Sequence, residues 1–219
     1  MIGFRRGHNF QAVGSRGYVK EEEIAEEIKN DIVKIFKKHN YKYVDCSPDN
    51  MTSSKDLAFG VQKCNDNKCE LFFSIHLNAS KTTDAPVGVE VWTYKEKFKQ
   101  ATDVLSNLVN LGFKNRGIKH STSLYELKNT KCKAMIIEVC FVDSKADTEL
   151  LSQVGTYKIA QAIAYGVMGI EEEIVKPVEE VKTNYRLCVG SYKEYSNAVN
   201  AKKQLAELGI DSFIIKKED

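Results

Sequence analysis

Two stretches of this chain, LFFSIH at residues 71–76 and AMIIEV at 134–139, run almost unbroken through apolar residues until they reach one ionisable group near the exit, His76 or Glu138. Unbroken apolarity over so short a length marks a strand covered on both faces, at the centre of a sheet with helices on either side. Further strand-like runs occur at residues 2–6, at YKYVDC and at VGVEVWTY. Between them lie helical patterns at about residues 20–38, 53–63, 95–111 and 153–169. The alternation predicts an α/β fold, a mostly parallel twisted sheet flanked by helices, over residues 1–170. In such sheets the ligand crevice lies beyond the carboxyl ends of the strands, where His76 and Glu138 sit.

Residues 171–184, EEEIVKPVEEVKTN, change character: they are acidic, carry Pro177 and lack glycine and aromatics. The stretch 171–183 reads as a linker. Residues 184–219 then give a strand, a turn, a helix stopped at Gly209 and a second strand at Ser212–Lys216, a small C-terminal βαβ module. So short a segment cannot bury a core alone, and it is expected to pack on something.

Composition removes several classes of function. The chain has 42% apolar and 28% charged residues and a net charge of +2 with the signs interspersed, so no basic field for nucleic acid is expected. No apolar run approaches the roughly 20 residues of a membrane span. The opening MIGFRRGHNF has arginines but no apolar core after them, so synthesis in the cytoplasm without a signal peptide is expected. The six cysteines are scattered without a CxxC pair and read as reduced structural thiols. Cys64 and Cys69 resemble half of a metal site, but no second pair matches them.

The predicted first helix contains five glutamates, in VKEEEIAEEI at residues 19–28. At 3.6 residues per turn, Ile24, Ile28, Ile32 and Ile35 share one arc, with Glu21 near its middle and Glu22 about a quarter-turn away. Glu23, Glu26 and Glu27 fall on the far side. An inward carboxylate needs a partner, since burying it alone costs several kcal/mol or more. Of the four histidines, His39 closes a lysine-rich helix end and His120 reads as a surface strand residue. His8 and His76 both stand at strand exits. His8, Glu21 and His76 together offer two imidazole nitrogens and a carboxylate oxygen, a common catalytic zinc set that leaves a fourth position open. Glu138 adds a carboxylate able to move a proton.

GHNF after a strand, a helix-opening glutamate after GYVK, FFSIHLNAS and IIEVCFVDSKAD resemble, in order, the signature segments of zinc-dependent N-acetylmuramoyl-L-alanine amidases, wall hydrolases of bacteria and their phages. The resemblance implies zinc on His8, Glu21 and His76, catalytic acid/base work by Glu138, and substrate contact by Asn78. It implies hydrolysis of the amide between N-acetylmuramic acid and L-alanine in peptidoglycan, by an endolysin-like protein acting on the wall after release. The family's EKD triplet is EEE here, so a slip of one residue would make Glu22 the ligand. Zinc peptidase or deacetylase chemistry uses the same donor set, and a non-catalytic peptidoglycan-binding protein with a structural metal is a further alternative. The C-terminal segment resembles the first half of a sporulation-related (SPOR) repeat, which binds peptidoglycan strands. Half a repeat implies either a homodimer paired through residues 184–219 or a remnant packed on the catalytic domain.

Overall fold

The structure is a computed structural model that describes residues 1–171, 190–208, 210 and 212–215. Two compact units divide the chain, Met1–Glu179 and Glu180–Asp219.

In the first unit six strands form one sheet: β1 (Ile2–Arg6), β2 (Tyr43–Asp45), β3 (Leu71–Asn78), β4 (Val89–Thr93), β5 (Asn115–His120) and β6 (Lys133–Phe141), in the order β2-β1-β3-β6-β4-β5. The two apolar runs are thus the central pair. Every neighbouring pair is parallel except β4–β6, which is antiparallel. The helices are α1 (Glu21–Lys38), α2 (Ser53–Asp66), α3 (Lys99–Asn110), α4 (Tyr125–Asn129), α5 (Lys145–Val154) and α6 (Thr156–Met168). The pattern expected at 153–169 is interrupted, because Gly155 at φ +78° ends α5 and α6 starts after it.

Alternate strand residues face opposite sides of the sheet. One set, including Phe4, Phe73, Ile75, Leu77, Val91, Met135, Ile137 and Val139, joins Ile28, Ile32, Phe36, Val104, Leu108 and Ile163 in a large core under α1, α3 and α6. The other set builds a smaller cluster of Phe72, Ala134 and Ile136 with Cys46, Cys64, Cys69 and Leu127. Arg5, Ser74, His76, Glu90 and Glu138 share the phase of this second set. The strand register places His76 beside Glu138, and Glu138 beside Glu90. A bulge between His76 and Asn78 bends β3 at that row.

In the second unit, α7 (Tyr195–Glu207) is the expected helix, and none of its residues is buried. The second strand expected at Ser212–Lys216 does not form across residues 212–215, which are irregular. The expected first strand, Gly209 and nearly all of the expected linker lie outside the described residues. Among the described residues no helix is long and apolar enough to cross a membrane.

Candidate active site

Three elements converge at the carboxyl edge of the sheet. His8 follows β1, Glu21 opens α1 and His76 nears the end of β3. Their nitrogen and oxygen donors all lie within 4.8 Å of one another. Glu21 Oε1 is 3.0 Å from His76 Nδ1 and 3.5 Å from His8 Nε2. Tetrahedral zinc with bonds near 2.0–2.1 Å holds its donors roughly 3.3 Å apart, so this nitrogen, nitrogen and oxygen set fits the ion.

Backbone groups fix the carboxylate. Glu21 Oε2 accepts from the Ser15 backbone N–H at 2.6 Å, and Oε1 accepts from that of Leu77 at 3.1 Å. Two glycines make the approach possible: a Cβ on Gly7 would stand 2.2 Å from the His76 ring, and one on Gly14 would stand 2.4 Å from Glu21 Oε2. The expectation that only one of the five acids turns inward is corrected. Glu22 is buried too, because Arg16 folds back from the preceding loop and donates to its carboxylate. Glu22 points to that arginine rather than joining the three-residue cluster.

Behind His76 lies a buried charge network that sequence reasoning missed. Arg5, with no exposed surface, donates from Nη1 to Glu126 Oε1 at 2.8 Å and from Nη2 to the Gly7 carbonyl at 3.0 Å and to Asp56. Ser74 donates to Glu126 Oε2 at 2.7 Å, and that oxygen faces His76 Nε2 at 3.7 Å, beyond hydrogen-bond reach. His76 Nε2 is buried and has no hydrogen-bond partner. Burial would lower the His76 pKa, but the Glu126 and Glu21 carboxylates on its two sides raise it to about 10. Burial likewise opposes ionisation of Glu126, yet His76 and Arg5 bring its pKa down to about 2. His8 moves the other way: burial and the nearby His76 lower it, which favours the neutral donor form.

Glu138 is next to His76 across β3–β6, and its Oε2 is buried without a partner. Burial, reinforced by Glu21, Glu90 and Glu126, raises its pKa to about 7 against the opposing pull of His76. A carboxyl poised there can both give and take a proton near neutrality. Glu90, one strand further, stays ionised because Arg116 Nε at 2.7 Å, Trp92 Nε1 at 3.0 Å, Asn78 Nδ2 at 3.1 Å and Lys119 surround it. Asn78, expected to meet substrate, also accepts from the Ala79 N–H at 2.8 Å, so both ends of its amide have partners inside the protein.

His39 caps α1 against the Tyr165 ring, and His120 ends β5 with Nδ1 2.8 Å from Thr93 Oγ1, both apart from the site. In the VDSKAD segment, Asp147 accepts backbone N–H groups of Val87, Gly88 and Phe141, joining the entry of β4 to the end of β6. That aspartate shapes the rim of the site.

A protein-family model described as N-acetylmuramoyl-L-alanine amidase matches residues 3–168. An uncharacterized protein of Clostridium perfringens is 34% identical over 182 residues, covering 80% of this chain and 54% of its own length. The chain thus spans about half the length of the curated relatives it matches. Among solved structures, the catalytic domain of the CD27L endolysin targeting Clostridia Difficile superposes with a TM-score of 0.68 at 27% identity, covering 77% of this chain and 96% of that one. The amidase AmiC2 of Nostoc punctiforme superposes with a TM-score of 0.69 at 21% identity, over 77% and 94% of the two chains, a likeness of fold.

Proposed function

The chain belongs to the N-acetylmuramoyl-L-alanine amidase family, and from that premise we propose that it is a zinc-dependent peptidoglycan hydrolase cleaving the amide between N-acetylmuramic acid and L-alanine. The observation that carries the reading is the meeting of His8, Glu21 and His76 beside Glu138, whose unpartnered oxygen and near-neutral pKa suit proton transfer. His8, Glu21 and His76 would hold zinc, which when bound would supply Lewis-acid chemistry to water and to the amide carbonyl.

The protein's own groups do the rest. Glu21, fixed by two backbone N–H groups, brings negative charge to the donor set without reorganising. Glu126 faces Nε2 of His76 and favours a proton there, which would leave Nδ1, 3.0 Å from Glu21 Oε1, as the nitrogen donor. Glu138 takes the proton of the attacking water and returns it to the departing L-alanine nitrogen. Asn78 holds Glu90 and the β3 exit at the rim, from which it can reach the stem peptide.

Likeness to an endolysin catalytic domain supports action on the wall after release from the cytoplasm. The C-terminal segment acts as half of a SPOR-like module, in wall binding or in pairing two copies. The exposed Leu208, Ile210 and Ile215 there supply apolar surface for such contact. Light scattering of the full chain at micromolar concentration tests the pairing, and a monomer overturns it.

The test of the activity is a metal assay joined to digestion of purified walls with and without chelator. New L-alanine amino termini without new reducing sugars are expected. Release of D-alanine or acetate instead would assign the site to a peptidase or deacetylase, and full lysis by a Glu138→Ala variant would remove Glu138 from catalysis.

A further inference from the structure

Four of the cysteines gather on the thinner side of the sheet, outside the site just described. Cys46, at the end of the β2 exit, Cys64 in α2 and Cys69 before β3 surround Gly3, and their sulfurs lie 3.3, 3.1 and 3.1 Å from where a Cβ on that glycine would stand. Cys132, immediately before β6, brings its Sγ to 3.9 Å from that of Cys64. Thiols filling a dry cluster are ordinary packing. The Cys64–Cys132 pair stands apart, because the two segments are held together by other means. The next residue along, Asn65, donates from Nδ2 to the Asn129 carbonyl at 3.1 Å, and its Oδ1 accepts from the Lys131 N–H at 2.9 Å. The end of α2 and the turn into β6 are therefore fixed side by side, and the sulfurs need only close from contact to a bond of about 2.05 Å.

The two thiols also differ in access. Cys64 is fully buried, whereas Cys132 is partly exposed. We propose that Cys64 and Cys132 form a covalent modification site for small-molecule disulfides, in which Cys132 is the entry thiol and Cys64 the resolving thiol. The Cys132 thiolate attacks a disulfide RSSR, forming Cys132–S–SR and releasing RS⁻. Cys64 then loses its proton and attacks the Cys132 sulfur, expelling the second RS⁻ and leaving an intrachain Cys64–Cys132 bond. The protein gives up two electrons and two protons, and RSSR becomes two RSH.

The bond would tie together segments 68 positions apart in sequence. It would join α2, whose Asp56 holds Arg5, to β6, which carries Glu138. Closing so long a loop restricts the unfolded chain, so the oxidised protein is expected to melt about 5 °C higher or more. The experiment incubates the reduced full chain with oxidised glutathione, alkylates the remaining thiols, and maps the peptides by mass spectrometry beside a thermal melt. A Cys64–Cys132 linked peptide, reversed by dithiothreitol, and a raised Tm are expected. Cys64→Ser should stop at a glutathione adduct on Cys132, and Cys132→Ser should give neither product. If the unmutated chain keeps Cys132 fully alkylatable, links Cys132 to any other cysteine, or melts lower once linked, the proposal is overturned, whatever the folding of the variants.

Discussion

On the side of the sheet toward α1, α3 and α6, the central strands present Phe73, Ile75, Met135 and Ile137; one residue out of phase, on the other side, they present Ser74, His76, Ile136 and Glu138. The first side excludes water by packing alone. The second carries charges, several of them held by ion pairs: Arg5 has Glu126 and Asp56, Glu90 has Arg116 and Lys119. His76 and Glu138 each keep a buried atom without a hydrogen-bond partner, as Arg5 does at Nε. The difference teaches where chemistry is affordable in such a sheet: the packed side supplies stability through burial at roughly 25 cal/mol per Å², and the other side can then hold groups that folding alone would not favour.

The comparison can be broken most forcefully at Glu138. Glu138→Gln should lower the wall-cleavage rate by about 10²–10⁴-fold while leaving bound zinc and Tm in place; metal analysis and a lysis assay on one sample decide it. On the packed side, Phe73→Ala should cost about 3–5 kcal/mol in denaturant unfolding, with the folded fraction still binding one zinc. If loss of Phe73 emptied the donor set without lowering stability, the two sides would not be independent in this sense. Third, Glu21→Ala should weaken zinc binding by about 100-fold or more in a chelator competition, whereas Glu22→Ala should retain zinc and lose only its contact with Arg16.

The fourth prediction concerns pH in the metal-free chain. His76 has a folded pKa raised to about 10, so its contribution to stability is full below its ordinary value near 6.5 and disappears as pH rises through about 10. Glu126 runs oppositely, contributing above its ordinary value near 4.5 and losing that contribution as pH falls toward about 2. Melts of the metal-free protein should therefore decline on both sides, and His76→Ala should flatten the alkaline limb relative to the parent chain. Least of all, Glu23→Ala on the exposed side of α1 should shift stability by no more than about 0.5 kcal/mol, readable as an unchanged denaturant midpoint.

The parts of this arrangement that were legible in the sequence are those with a period. Unbroken apolar runs located β3 and β6, and the isoleucine arc of α1 separated Glu21 from Glu23 and Glu27. Glu22 defeated the same argument, because its burial depends on Arg16 arriving from a loop, which no helical phase encodes. The Arg5–Glu126–Asp56 network was silent for a related reason: each residue alone resembles surface, and Glu126 lies in a helix of five residues, too short to show an amphipathic pattern. The antiparallel placement of β4 against β6 is a tertiary choice. A run such as VGVEVWTY reads the same whichever way its neighbour points.

The β3–β6 pairing also sets an order in time. His8, Glu21 and His76 all belong to the first 78 residues and to the segments around β1 and β3, whereas Glu138 joins the row only when β6 docks from much further along the chain. The loop from His76 to Glu138 is no longer than the one from His8 to His76, so this order comes from the direction of synthesis rather than from loop closure. During synthesis from the amino end, the donor set can therefore come together before the proton-transfer group is in place.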